Sequence, residues 1–145
     1  AQWETMANDG DHYRLTFDKP DTWSLKYNLV WDRLLGFNIF PSQIIEKEIP
    51  YYLLKTNTYG VPLDNRQAYT KTDWIVWTAT MAPDKATFEE FILPIYKFMD
   101  ETEARVPMSD WTWTDKPSHR GFVARSVVGG YFIKMLEPVF MEKIK

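Results

Sequence analysis

The stretch VPLDNRQAYTKTDWIVW, residues 61–77, constrains the fold of this chain most, because it runs from a polar loop directly into a helix. Thr70, followed three residues later by Asp73, has the spacing of a capping box, and the acid lies near the positive end of the helix dipole. A helix start surrounded by charged and aromatic side chains is a common place for a binding or catalytic surface. The alternative interpretation is a well-capped helix with a polar entry loop.

Apolar residues at helical spacing predict that helices make up most of the chain. We expect helices to start near residues 22, 42, 70, 87 and 120. At the first start, the apolar face consists of Trp23, Tyr27, Trp31 and Leu34. The clearest amphipathic pattern runs from Phe88 to Met99, after a second capping box formed by Thr87 and Glu90.

The segment from Phe122 to Leu136 is apolar on nearly all sides, which predicts a deeply buried helix ended by Pro138. Gly129 and Gly130 lie in its middle, where close approach by a neighbouring helix would compensate for their poor helix propensity. No hairpin turn joins two alternating runs, so we predict no strand pair.

These elements predict an all-α fold in which residues 1–145 form a single helical domain of successive hairpins. Short connections alternate with two long polar and aromatic loops, residues 57–69 and 106–121. If the helices run alternately up and down, both long loops emerge at the same end of the array. Two polar and aromatic loops at one end are typical of a site on an α/α toroid. Residues 1–8 have the pattern of the second half of a helix, so we expect an excised part of a longer protein.

The amino-acid composition indicates which classes of partner and ligand this chain can bind. Aromatic residues reach 17%, with seven Trp and eight Tyr, which favours an aromatic core or a sugar-stacking surface. The net charge is −3 without a basic block, and no run of about 18 apolar residues occurs, so we expect neither a nucleic acid nor a membrane as partner. The chain has no Cys and only two distant His, so we expect no metal and no cofactor.

Carboxylates remain as the groups able to do chemistry. Asp64, Asp73, Asp110 and Asp115 lie in or beside the two long loops, and two carboxyl groups, one acid and one base, suffice for glycoside hydrolysis. We predict Asp73 and Asp110 as catalytic residues, with structural caps or ion pairs as the alternative. The predicted substrate-binding residues are Asp64, Arg66, Tyr69, Trp74, Trp111 and Arg125.

Five segments closely resemble the C-terminal helical domain of the fungal and bacterial glutaminase A family: TWSLKYNLVWDRLLG, EKEIPYYL, YGVPLDNRQAYTKTDWIVWTA, RVPMSDW and FVARSVVGGYFIKML. The similarity spans nearly all of the chain. It implies part of a six-hairpin, glycosidase-like α/α toroid, about half of one, within a larger secreted or periplasmic protein. It also implies hydrolysis of glutamine to glutamate and ammonia, and assigns no catalytic residue.

The leading hypothesis is therefore a domain of a secreted hydrolase resembling glutaminase A. A glycan-processing, glycosidase-like protein is the rival enzyme, and a non-catalytic structural or carbohydrate-binding module is a third alternative. Expected partners are a small-molecule substrate (glutamine or a glycan), the remaining domains of the parent chain, and a second copy bound through exposed apolar surface. Because its polar loops have no opposing wall, we expect the isolated chain to be inert.

Overall fold

The computed structural model describes residues 2–144, with side chains through residue 142. Within that range the fold is helical, as predicted. The α-helices are α1 (Gln2–Ala7), α2 (Leu29–Leu34), α3 (Ser42–Leu54), α4 (Thr72–Thr80), α5 (Lys85–Glu101) and α6 (Ile133–Ile144). A 3₁₀-helix, η1 (Ser126–Phe132), precedes α6, and two strands, β1 (Tyr69–Lys71) and β2 (Trp111–Trp113), each have three residues.

Helix α4 is the centre of the fold and packs against α2, α5, α6 and η1. Its residues Ile75 and Ala79 are fully buried, together with Leu34 of α2 and Phe91 of α5. Complete burial of one such large apolar side chain contributes about 1.5–3 kcal/mol. The helix that carries Asp73 is therefore held on several sides by the core.

Both predicted capping boxes are wrong. At α5 the cap is Asp84, whose carboxylate accepts a hydrogen bond of 2.8 Å from the Thr87 backbone N–H. At α4 the helix begins one residue later than the box requires, with Lys71 at the N-cap position, and Thr70 lies in β1. The first-turn N–H of Thr72 donates instead to the Asp110 carbonyl oxygen at 2.8 Å. A long-range partner thus replaces the local cap.

The helix predicted from residue 22 begins only at Leu29. Residues 22–28 instead lie along the first long loop. The Trp23 N–H donates to Asn65 Oδ1 at 3.0 Å, and the Leu25 N–H donates to the Leu63 carbonyl at 2.8 Å. Because these backbone N–H groups donate to residues of the first long loop, they are unavailable for the hydrogen bonds of a helix.

The prediction of a deeply buried helix over residues 122–136 is also wrong. The segment is split into η1 and α6, no residue of η1 is buried, and Pro138 lies inside α6. The side chains of Phe132, Met135 and Leu136 are exposed. The expected close approach does occur at Gly130, where a methyl group would lie 2.8 Å from Trp77 Nε1. At Gly129 an added methyl would meet nothing within 4 Å.

Strands β1 and β2 form an antiparallel pair that the sequence did not predict. Tyr69 lies opposite Trp113, Thr70 opposite Thr112, and Lys71 opposite Trp111. The pair joins the two long loops, so the expectation that they meet at one place is confirmed. In residues 2–144 no helix is both long and apolar enough to cross a membrane.

Candidate functional site

The strand pair brings the two predicted catalytic carboxyl groups to the start of α4. Asp73 lies in the first turn of α4, just after β1, and Asp110 directly precedes β2. Their exposed fractions are 2% and 1%. Ionised side chains are rarely buried to this extent without a partner, so the environment of each carboxyl group determines its charge.

Asp110 is surrounded by cations. Its Oδ2 accepts a hydrogen bond of 2.8 Å from Lys71 Nζ and lies 3.3 Å from Arg125 Nη2. Its Oδ1 is buried and has no hydrogen-bond partner among the described residues. The Asp110 carbonyl oxygen accepts hydrogen bonds from the Thr72 N–H at 2.8 Å and from Thr72 Oγ1 at 3.1 Å. The two cations compensate the negative charge of the Asp110 carboxylate in the protein interior.

Asp73 has the opposite environment. Burial, followed by the negative charge of Asp110, raises the pKa of Asp73 to about 6. Backbone N–H groups of the first turn, at Asp73 and Trp74, oppose this shift without cancelling it. Its Oδ1 is buried and without a hydrogen-bond partner in the part of the chain that the structure describes. Near pH 6 the Asp73 side chain is therefore poised between acid and carboxylate.

Tyr131 is a member of the site that sequence reasoning missed. Its hydroxyl is hydrogen-bonded to Thr72 Oγ1, next to both carboxyl groups. Burial, together with the charges of Asp73 and Asp110, raises the pKa of Tyr131 to about 12, so the phenol stays protonated at neutral pH. The sequence pattern assigned Tyr131 to an apolar segment, where an aromatic residue indicates a core position rather than a polar contact.

Lys71 was missed as well, although it immediately precedes Thr72 and Asp73. Its ammonium group lies 4.7 Å from the centre of the Trp111 ring while it binds Asp110. Its position beside a predicted catalytic Asp was the one signal in the sequence that could have identified it.

The predicted aromatic binding residues are packed against other side chains of this protein. Trp74 stacks on Tyr27 with ring centres 3.9 Å apart. Tyr69 meets Trp111 edge to face at 5.7 Å, and the Arg120 guanidinium lies 4.7 Å from the Trp111 ring centre. A sugar ring could stack on Trp111 only after the Arg120 guanidinium and the Lys71 ammonium group had moved away from the ring.

Asp64 and Arg66 bind each other rather than the carboxyl pair. Asp64 Oδ1 accepts the Arg66 backbone N–H at 2.8 Å, and its Oδ2 accepts Arg66 Nη2 at 2.6 Å. Asp64 is buried, whereas the Arg66 side chain is 62% exposed. Arg125, by contrast, borders the pair through its contact with Asp110 and is 37% exposed, so it has donors free for an anionic ligand.

No group of three or more His, Asp or Glu side chains within residues 2–142 is arranged to hold a metal ion. The chemistry available at the site is that of a buried acid, a carboxylate paired with cations, and a neutral phenol.

Comparison with known proteins assigns the chain to a family. Residues 1–135 match the glutaminase A six helical-hairpin domain. The chain belongs to this family. No solved structure matches it.

Two curated relatives of this glutaminase A family member are similar over nearly all of its length. Glutaminase A of Aspergillus oryzae is 33% identical over 143 residues, which cover 94% of this chain and 21% of that protein. A protein of Arthroderma benhamiae named probable glutaminase/05536 is 29% identical over 165 residues, covering 91% of this chain and 19% of that protein. The chain thus spans about one fifth of the length of these relatives.

The raised pKa of Asp73 has a consequence for stability. Folding favours the protonated form, so the stability that Asp73 contributes is complete below its ordinary pKa of 3.8 and is lost as the pH rises through about 6. Asn cannot ionise. Between pH 4 and pH 8, Asp73→Asn should therefore gain on the order of 2 kcal/mol in unfolding free energy relative to the unchanged chain, as measured by urea titration.

Asp84→Asn is the matched control for that experiment. Hydrogen bonds from the Thr87 backbone and side chain lower the pKa of Asp84, so its substitution should lose stability relative to the unchanged chain over the same pH range. If the unfolding free energies of Asp73→Asn and the unchanged chain ran parallel with pH, folding would not shift the pKa of Asp73.

Proposed function

We propose that the protein containing this chain hydrolyses the side-chain amide of glutamine to glutamate and ammonia. The membership in the glutaminase A domain family and the names of the two relatives support this substrate. The observation that carries the proposal is the pair Asp73 and Asp110, two buried carboxyl groups in contrasting environments. Titratable groups whose surroundings differ in this way are suited to acid and base roles.

In the proposed reaction Asp110 is the base and Asp73 is the acid. Asp110, compensated by Lys71 and Arg125, takes a proton from a water molecule that attacks the amide carbon. Asp73, protonated because of its raised pKa, gives its proton to the amide nitrogen. The carbon–nitrogen bond then breaks, ammonia leaves, and the γ-carboxyl group of glutamate forms. The partly exposed Arg125 guanidinium is available to the α-carboxylate of the substrate.

A glycosidase-like activity is the second candidate, because a pair of carboxyl groups also serves glycoside hydrolysis. The contacts of Trp74 with Tyr27, and of Trp111 with Lys71 and Arg120, do not favour it, since these rings already have partners in the protein. Measuring ammonia release from glutamine and sugar release from oligosaccharides on the same preparation separates the two candidates.

In the whole protein we expect Asp73→Asn and Asp110→Asn each to lower ammonia release from glutamine by about 100-fold or more, the size of a general acid–base contribution. For the unchanged protein, kcat/KM should fall as the pH rises above about 6, because Asp73 then loses its proton. The descending limb should disappear in Asp73→Asn. Asp115→Asn, an exposed carboxylate in the same long loop as Asp110, is the control and should keep full activity.

Sugar release without ammonia release would contradict the proposed amide hydrolysis and support the glycosidase-like activity. Full turnover in both Asp73→Asn and Asp110→Asn would remove the carboxyl pair from the chemistry.

We further infer that this chain is part of an α/α toroid whose other hairpins cover η1 and α6. The family is described by six helical hairpins, and Phe132, Met135, Leu136 and Val139 are exposed here on consecutive turns. Contiguous apolar surface of this kind marks an interaction face. The remaining hairpins would also supply the opposing wall of the cleft from which substrate reaches the carboxyl pair, which this chain already buries.

Sedimentation velocity tests this arrangement. The isolated 145-residue chain should self-associate through α6 and release no ammonia, and Met135→Lys with Leu136→Lys should return it to a monomer. In the whole protein the other hairpins should cover α6, so the two substitutions should change its sedimentation. Identical sedimentation with and without them would show that α6 faces solvent there and would contradict the toroid. Robust turnover by the isolated chain would contradict the need for an opposing wall.

A further inference from the structure

Two buried polar atoms on one face of α4 have no hydrogen-bond partner among the described residues. They are Oδ1 of Asp73 and Nε1 of Trp77, four residues apart and therefore one helical turn apart. One is an acceptor and the other is a donor. Buried polar groups are nearly always paired, because an unpaired one loses its hydration without compensation. A donor and an acceptor left unpaired on neighbouring turns indicate a polar ligand.

Gly130 shows that both side chains border the same space. A methyl group on Gly130 would lie 2.8 Å from Trp77 Nε1 and 3.1 Å from Asp73 Cβ. Because glycine has no such methyl group, the backbone of η1 can lie directly against the two side chains. The Trp77 ring is held in place by Trp31, which packs edge to face with ring centres 5.2 Å apart. The indole N–H therefore has a fixed direction.

We propose that Trp77 Nε1 and the Asp73 carboxyl group together bind the primary carboxamide of the substrate. This inference rests on the proposed amide hydrolysis and names Trp77 as the residue that recognises the amide. The indole N–H donates to the amide oxygen, and the Asp73 carboxyl group faces the amide NH₂. A primary amide offers one acceptor and one donor group side by side, which matches this pair.

The same arrangement favours the reaction. When water attacks the amide carbon, negative charge develops on the oxygen that accepts the Trp77 N–H, and a fixed donor at that oxygen stabilises the transition state. The NH₂ group faces Asp73, the group proposed to protonate it as it leaves.

Recognition of an amide also discriminates against the product. The γ-carboxylate of glutamate has an oxygen where glutamine has its NH₂. Once Asp73 has given up its proton, this oxygen would face the Asp73 carboxylate without a donor between them. Sites built to pair a polar group reject analogues that leave that group unpaired. Substrate reaches the two atoms only when η1 shifts, and none of the residues of η1 is buried.

Trp77→Phe tests the proposal, because it removes the N–H and keeps an aromatic ring against Trp31. In the whole protein we expect kcat for ammonia release from glutamine to fall by about 100-fold with KM changed by less than about threefold, as for loss of one oxyanion donor. The melting temperature should be unchanged or higher, since a buried unpaired donor is removed. The control is Trp3→Phe, the same change in α1, where the ring packs on Tyr13 in a separate apolar cluster, and it should stay within about threefold of the unchanged protein.

A second pair of variants keeps the test independent of how Trp77→Phe folds. Gly130→Ala places a methyl group between Trp77 Nε1 and Asp73 and should lower turnover at least tenfold, whereas Gly129→Ala meets nothing within 4 Å and should not. Equal turnover in Trp77→Phe and Trp3→Phe, with ammonia still released, would overturn the carboxamide site and leave the proposed function standing.

If the unchanged protein releases no ammonia, the proposed function fails and calorimetric binding decides the carboxamide site by itself. At pH 8, where Asp73 is ionised, a preference for glutamine over glutamate of tenfold or more, lost in Asp73→Asn, would support the site. Absence of any preference would overturn it.

Discussion

The hydrogen bond from the Thr72 backbone N–H to the carbonyl oxygen of Asp110, 2.8 Å long, is the contact on which the site depends. It satisfies a first-turn donor of α4 with a residue 38 positions away. The Thr72 hydroxyl donates to the same carbonyl oxygen and also meets the Tyr131 hydroxyl. A single helix start therefore aligns three segments that are distant in sequence: the end of β1, the residue before β2, and η1.

The electrostatic surroundings of the two carboxyl groups follow from the alignment of these three segments. Once Asp110 is fixed beside the first turn of α4, Lys71 lies close enough to compensate its charge, and Asp73 is left buried without a cation of its own. The pKa of Asp73 is thereby raised through position alone. Burial is the largest cause of this shift, and the neighbouring carboxylate is the second.

Sequence periodicity predicted the helices α3, α4 and α5, because their apolar faces point into one core. The predicted starts of α4 and α5 are each wrong by two residues, because neither capping box forms. It failed over residues 22–28 and at Thr70, where backbone donors bind groups far away in the chain that no local pattern reveals. It also failed over residues 122–136, since an all-apolar pattern predicts burial and does not say which surface provides it.

The sequence predicted Asp73, Asp110 and Arg125 as members of the candidate site but missed Lys71, Trp77 and Tyr131. Asp73 and Asp110 stand out in the sequence because they are acids beside tryptophans at the ends of long loops. Trp77 and Tyr131 carry polar atoms on apolar side chains, and a hydrophobic pattern counts such residues as core. Their role depends on which way the ring edge points, and that direction is set by tertiary packing against Trp31 and Thr72.

The most direct test is an NMR titration that follows the side-chain carboxyl carbon of Asp73 with pH. We expect a midpoint near pH 6, and a lower midpoint in Asp110→Asn, because the neighbouring negative charge is then absent. A midpoint at the ordinary value of 3.8 that does not respond to Asp110→Asn would contradict the coupled acid and base on which the proposed chemistry rests.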